Sequence, residues 1–399
     1  MIALEWLFWL AVVGVVYTYA LYPLVLVVAA AGRQVAGDLR FVTGKGERRT
    51  PGLSADPPPV AVIIAAWNEG GSIGPRLQNL LAQAYPGQLR ILVGSDASDD
   101  GTVAEARAVD DPRVEVIDFR ERRGKAAVIN DLVSRVEGGI LVLTDANTRF
   151  EAGTLAQLVR HFADPAVGAV CGELHLEGND GSNQDGVYWR YEQVLKFYES
   201  RIGGLLGANG AVYALHHDAF RALPAGTIVD DFHTAMVAAE AGWRVVYDPE
   251  ARAVEETPEA LADEFRRRIR IGVGNWQSFA RFAGMLHPRH GARAFTFFSH
   301  KILRWLVPHL ALVALVTSTA LAASGDGLYT ALLVLQILGY GWAAGGWLWL
   351  AAGRRLPGMA RAPISLAAMN VALFLGFLRW LVGGSGGAWN RTRRNSEAT

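Results

Sequence analysis

The sequence predicts an α/β domain on a doubly wound, mostly parallel sheet, flanked by transmembrane helices. Three observations carry this. Short apolar runs alternate with helical patterns between residues 60 and 171, the order that builds parallel strands covered by helices. Four apolar stretches are each long enough to cross a hydrocarbon core of ~30 Å. Polar and acidic residues gather directly after the apolar runs, where ligands bind in open sheets of this kind.

Composition removes several alternatives. The 399 residues are 51% hydrophobic and 19% charged, too apolar for a disordered chain. Lys and Arg total 38, as do Asp and Glu, so there is no basic excess for nucleic acid. The one cysteine, Cys171, excludes a disulfide framework and a cysteine-rich metal site. No His pair has zinc-ligand spacing. GxGxxG and GxxxxGK[ST] are missing, against a dinucleotide enzyme and a P-loop enzyme.

Residues 1–32 read as an uncleaved anchor. Leu7–Ala31 carries no charge, and Glu5 without a preceding Lys or Arg argues against a signal peptide. Arg33, Arg40, Lys45, Arg48 and Arg49 follow at once, which places the chain beyond residue 33 in the cytoplasm by charge bias. Residues 33–58, rich in Gly, Pro, Arg and Ser, read as a linker. Residues 59–285 form the α/β domain. His287–Trp305 mixes aromatic and basic residues, so 286–305 reads as an interfacial segment. Residues 306–384 hold three apolar stretches, 306–323, 328–352 and 364–382, and 385–399 is a polar tail. Arg354, Arg355 and Arg361 favour the cytoplasmic side. Arg391, Arg393 and Arg394 would then face outward against the bias, unless the last stretch does not fully cross or packing overrides the rule. The whole reads as a multi-pass protein of the inner (cytoplasmic) membrane.

Within the domain, strands are expected at 60–65, 90–94, 114–118, 140–144 and 167–171. Helices are expected at 73–84, 101–109, 124–136 and 152–162. Ala66–Glu69 follows the first strand, Ser95–Thr102 the second and Asp145–Asn147 the fourth. Asp99 or Asp100 can equally be a helix cap. Asp96 and Asp145 are favoured as functional by their position. An acidic edge of this kind suits a divalent cation bridging a diphosphate, since Mg²⁺ is often held by one or two carboxylates plus substrate phosphates.

These motifs resemble family 2 inverting glycosyltransferases of the GT-A fold. More narrowly, they resemble the membrane-embedded branch that makes poly-N-acetylglucosamine, cellulose and hyaluronan. The resemblance implies a nucleotide-sugar donor, Mg²⁺ or Mn²⁺, and a growing glycan or lipid-linked acceptor, with export-complex partners conceivable and no nucleic acid. It places Asn68 and Glu69 beside the nucleotide base, Asp96 on the base and ribose, and Lys125 on the nucleotide. Asp145 and Asn147 stand at the metal-binding Asp-x-Asp, with an amide in place of the second acid. Asn209 and Gly210, after Gly207, match the acceptor-side loop. In Val229–Phe232, Asp231 takes the place of the catalytic base and Asp230 that of its acidic neighbour. Arg270 keeps the Arg of the family's Gln-x-x-Arg-Trp pattern and is expected on the diphosphate. The Gln and Trp are missing, and Trp276 comes five residues late, which departs from the processive pattern.

Aromatic residues between Asp185 and Glu199 fit sugar stacking or ordinary core equally. The resemblance implies transfer of a sugar with inversion in cell-surface polysaccharide synthesis. The alternatives are a single addition to a membrane lipid or polyprenyl carrier, and a non-catalytic subunit of an export complex.

Overall fold

A computed structural model describes residues 1–44, 52–177, 186–256, 261–354 and 358–384. Lys45, Arg48, Arg49, Asp185, Thr257, Pro258, Arg355 and the tail arginines lie outside the described residues. Helices α1 (Ile2–Val16) and α2 (Tyr22–Val42) are joined by a π turn at Tyr17–Leu21 and precede the sheet domain. The domain then runs β1 (Val60–Ala66), α3 (Ile73–Leu81), β2 (Leu89–Asp96), α4 (Thr102–Ala108), β3 (Val114–Phe119), α5 (Lys125–Val133), β4 (Ile140–Leu143), β5 (Arg149–Phe150) and α6 (Thr154–Arg160). It continues with β6 (Val167–Glu177), α7 (Val187–Ile202), β7 (Tyr213–His216), α8 (Asp230–Glu240), β8 (Arg244–Glu256) and α9 (Leu261–Phe282). Helices α10 (Ala292–Thr296), α11 (Leu303–Ala322), α12 (Gly327–Ala351) and α13 (Gly358–Leu381) complete the chain.

The sheet order is β3-β2-β1-β4-β7-β6-β8-β5. The half from β3 to β4 is parallel, as the alternation predicts. The other half is mixed: β7 runs antiparallel to both β4 and β6, and β8 is parallel to β6. Every residue of β1 is buried, as a strand covered on both faces requires. Its alternating residues separate two cores. Val60, Val62 and Ile64 pack with α3 and α6. Ala61, Ile63 and Ala65 pack with α5 and α8, in a core that reaches Phe297 and Trp305 at the foot of the membrane helices.

Among the described residues, four helical segments are long and apolar enough to span a membrane: Ile2–Val42, Ala292–Ala322, Gly327–Ala351 and Pro363–Leu381. At 1.5 Å per residue the third is about 37 Å long, and it leaves apolar side chains such as Leu335 and Leu338 exposed, as lipid-facing surface does. Two boundaries differ from expectation. Helix α2 extends to Val42, ten residues into the predicted linker. The predicted interfacial segment is helical from Ala292 and passes through a π turn at Phe297–Ile302 directly into α11, with His300 and Arg304 buried. The aromatic residues of α7 are mostly packed: Trp189 joins one sheet core, Phe197 the other, and Tyr191 and Tyr198 the contact with α2.

The sheet domain docks on the bundle where α9 crosses α13. A Cβ built on Gly376 would stand 2.8 Å from the backbone of Gly272 and from the Ile269 carbonyl, so only glycine permits this approach. Gly376→Val should destabilise the full chain in detergent by about 1–3 kcal/mol, the usual cost of overpacking. A thermal-unfolding series would measure it, and an unchanged melting temperature would refute the tight crossing.

Candidate active site

Strand register brings the site together. Ala66 of β1 lies beside Ser95 of β2, and Leu143 of β4 lies between Ile63 of β1 and Tyr213 of β7. The residues after β1, β2 and β4, and those leading into β7, therefore share one sheet edge.

The first two loops are locked to each other. Asn68 and Ala97 both have positive φ, 54° and 56°, the only non-glycine cases among the described residues. Such backbone needs outside support. Asn68 Nδ2 donates to Asp99 Oδ1 at 2.6 Å, and the Asp99 N–H donates back to Asn68 Oδ1 at 3.0 Å. The Glu69 N–H donates to Thr102 Oγ1 at 2.8 Å. Asp100 accepts the Thr102 N–H at 2.9 Å, next to Gly101, the N-cap of α4. Beside this pair of loops, the Arg122 guanidinium lies 3.4 Å from the centroid of Trp67.

Asp96 is fully buried. Its two oxygens accept the N–H groups of Arg123, at 2.8 Å, and Gly124, at 2.9 Å. Gly124, at φ 88°, begins α5. Asp96 thus fixes the backbone that presents Lys125. The Lys125 ammonium then sits 3.0 Å from Asp145 Oδ1 and 3.2 Å from Asp230 Oδ2. Burial disfavours its charge, but Asp145, Asp230 and more distantly Asp231 outweigh burial and hold its pKa above the ordinary value.

Asp231 stands in the first turn of α8. Its Oδ2 accepts the Gly210 N–H and its Oδ1 the Phe232 N–H, each at 2.8 Å. Burial, then the charge of Asp230, pushes its carboxyl up to about 6, against the pull of Lys125 and the two N–H groups. Arg270 of α9 is held below its ordinary pKa by burial and by Arg267, and is favoured by the charges of Asp230 and Asp145. Asn209 turns inward on its own loop, where its Oδ1 accepts the Ala211 N–H at 3.3 Å.

Asp96, Lys125, Asp145, Gly210, Asp230, Asp231 and Arg270 therefore converge. Asn68 and Asn209 brace loops, and Trp276 packs with Phe377, Trp380 and His309 between membrane helices instead of at the acidic edge. Asn147 Nδ2 donates to Glu255 at 3.1 Å, which leaves Oδ1 as the atom able to ligate. No group of three or more His, Cys, Asp or Glu able to hold a metal occurs among the described residues. One carboxylate and one amide oxygen suit a cation whose remaining ligands are phosphate and water, so the donor set fits Mg²⁺ or Mn²⁺ bound together with a diphosphate.

One residue escapes the sequence reading. Arg76 is 2% exposed. It donates to Thr144 Oγ1 at 2.8 Å and to Asn79 Oδ1 at 2.7 Å, and lies 4.2 Å from the Phe150 ring centroid. Thr144 Oγ1 donates on to the Ala211 carbonyl at 2.6 Å. Burial lowers the Arg76 pKa to about 9, with Asp145 opposing. Its signal was present: it lies on the same helical face as Ile73, Leu77 and Leu80, where a charge needs a reason.

Residues 57–274, more than half of the chain, match the model of glycosyltransferase like family 2. An N-acetylglucosaminyltransferase of Rhizobium sp. (strain N33) is 27% identical over 233 residues, 53% of this chain and 52% of the relative. A poly-beta-1,6-N-acetyl-D-glucosamine synthase of Staphylococcus aureus is 23% identical, over 56% of each chain. The chain spans about half the length of these curated relatives. A mannosyltransferase of Pyrobaculum calidifontis, solved with GDP-Man and Mn²⁺, superposes with a TM-score of 0.62 at 25% identity, covering 90% of this chain and 98% of that one. The matched region, its GT-A sheet edge and the apolar helices on both sides agree, and the chain belongs to glycosyltransferase family 2 as a membrane-associated member.

Proposed function

We propose that the protein transfers a sugar, with inversion, from a nucleotide-sugar donor to a growing glycan or lipid-linked acceptor in cell-surface polysaccharide synthesis. The observation that carries this is the meeting of Asp145, Lys125, Asp230 and Asp231 at one sheet edge. The basic run after the anchor supports a sheet domain on the cytoplasmic side of the inner membrane. A single addition remains the second reading, favoured by the position of Trp276 away from the acidic edge.

Asp231 is the general base in this reading. It takes the acceptor hydroxyl proton as that oxygen bonds to the anomeric carbon. The bond from that carbon to the diphosphate breaks, and its electron pair leaves on the nucleotide. A carboxyl near 6 is largely ionised at neutral pH and basic enough to accept the proton. Asp145 and Asn147 would hold Mg²⁺ or Mn²⁺, which when bound would offset the charge on the leaving diphosphate. Lys125 and Arg270 add fixed positive charge on the same side. Asp96 positions Lys125 through the N–H groups it accepts. Arg76 positions Thr144, the residue next to Asp145.

Three outcomes test this. Asp231→Asn should cut transfer by about 10²–10⁴, the range of general-base catalysis, while donor binding stays within about twofold; transfer to a panel of acceptors and donor titration measure the two. An undiminished rate would remove Asp231 from the reaction. Because the base must be ionised, transfer should fall as pH drops through about 6, and Asp230→Asn should move that limb to lower pH by removing a neighbouring negative charge. A limb unmoved by Asp230→Asn would separate the two carboxylates. Asp145→Asn should raise the Mn²⁺ concentration for half-maximal rate by about tenfold or more, and an unchanged metal titration would place the cation elsewhere.

A further inference from the structure

Glu199, near the C-terminal end of α7, is a carboxylate that takes no part in the reaction as written. It is 2% exposed. Its Oε1 accepts the Tyr22 hydroxyl at 2.6 Å, and His300 Nδ1 lies 2.6 Å from the same oxygen. Tyr22 opens α2 and His300 belongs to the π turn ahead of α11, and both are buried. A carboxylate drawn out of water needs such partners. One side chain of the sheet domain therefore holds the anchor and a membrane helix together.

The same residue stands where the chain sets off toward Asp231. Helix α7 closes at Gly203, φ 73°. There the Gly203 N–H donates to the Ser200 carbonyl at 3.0 Å and the Gly204 N–H to the Glu199 carbonyl at 2.8 Å, the paired bonds of a Schellman turn. Arg33 of α2 donates to the Ile202 carbonyl at 2.9 Å. Thr296, the buried last residue of α10, donates from Oγ1 to the Gly204 carbonyl at 2.5 Å. A Cβ built on Gly204 would stand 2.6 Å from Thr296 Cγ2, so the two segments are in close contact.

From that contact the chain runs to the base without slack. Leu205 and Leu206 are buried in the core that also holds Phe297 and Trp305. A Cβ on Gly207 would stand 3.3 Å from the Phe232 ring. That ring lies 6.1 Å from Trp305 of α11 between centroids. The Gly210 N–H then meets Asp231 Oδ2 at 2.8 Å. A segment packed along its length passes on a displacement instead of absorbing it.

We propose that Glu199 and Thr296 are positioning residues that clamp the start of segment 203–210 to α2 and to the helix ahead of α11, and so keep the Gly210 N–H on Asp231. This rests on the reading of Asp231 as the base. The membrane helices thereby act on the base through the loop as well as from beneath it.

The first readout needs no sugar transfer. Amide hydrogen exchange is followed by mass spectrometry on the full chain in detergent. Thr296→Val removes the hydroxyl and keeps the shape, and should speed exchange within 203–210 by about tenfold, the weight of one buried hydrogen bond. Tyr22→Phe should speed exchange in the same segment, Thr296→Ser should match the parent, and exchange in β1, β2 and β4 should not change in any of them. In transfer assays Thr296→Val should lower the rate by about tenfold and leave binding of UDP or GDP with Mn²⁺ within about twofold. Its acid limb should move to higher pH, because Asp231 loses an N–H that stabilises its charge. Asp230 and Lys125, whose charges act on Asp231, stay in place, as do Cys171, Tyr213 and Lys301, on which its charge acts. Exchange at 203–210 like the parent's in both Thr296→Val and Tyr22→Phe would overturn the clamp. Faster exchange with an unmoved acid limb would overturn its link to Asp231 and count against Asp231 as the base.

Discussion

Lys125 holds one ammonium 3.0 Å from Asp145 and 3.2 Å from Asp230, in a cleft where Asp231 acts on it as well. Two like charges about 4 Å apart repel by about 4 kcal/mol at the effective dielectric of such a site. Three carboxylates gathered there would drive one another toward protonation without a cation among them. The lysine keeps the cleft charged before any substrate arrives. In the proposed reaction Asp145, with Asn147, would hold the metal, and the Lys125 ammonium beside it would add fixed positive charge to the diphosphate.

That arrangement depends on contacts already made within the chain. Asp96 is buried and accepts the N–H groups ahead of Lys125 with both oxygens, which aims the lysine. Arg76 reaches Thr144, and Thr144 reaches Ala211. This ties the end of β4 to the loop whose Gly210 N–H holds Asp231. The two halves of the sheet, one parallel and one mixed, are thereby fixed at the point where their acids meet. The core beneath is continuous with Phe297 and Trp305, so the membrane helices set the floor of the site.

Much of this was legible in the residues. The parallel strands announced themselves because strands buried on both faces are nearly all apolar, and the turns that follow them are polar. The membrane helices were legible from length alone. Strands β7 and β8 were not, because β7 is only Tyr213–His216 and β8 carries charges at Arg244, Asp248 and Glu250 along its length. Asp96 and Asp145 stood out by their place after strands, Asp230 and Asp231 only through the resemblance, and Lys125 joins Asp145 to Asp230 at one edge. What local pattern could not supply was the division of labour: Asn68 and Asn209 hold loops, and Arg76 links strands. The contacts of Asn68 and Arg76 join residues 31 and 68 apart in the chain, which no spacing rule encodes. The π turns were equally hidden, since one extra residue in a helical turn leaves no trace in an apolar run.

In the proposed reaction, the position of Asp231 resolves a conflict between two demands on a base. Burial and the charge of Asp230 raise its carboxyl to about 6, against the pull of Lys125 and two N–H groups. The first turn of α8 supplies the opposing pull. The N-terminal end of a helix favours negative charge, and the Phe232 and Gly210 N–H groups point directly at the two oxygens. A carboxylate on a loop would lack the first of these and one deep in the sheet would lack solvent access for the acceptor. Asp231 at the start of a helix, facing a glycine loop, meets both requirements, and its neighbour Asp230 is turned the other way, toward Lys125. The adjacent acids thus divide the work by direction: one is neutralised by an ammonium, and the other is left with N–H donors that stabilise its charge without removing its basicity.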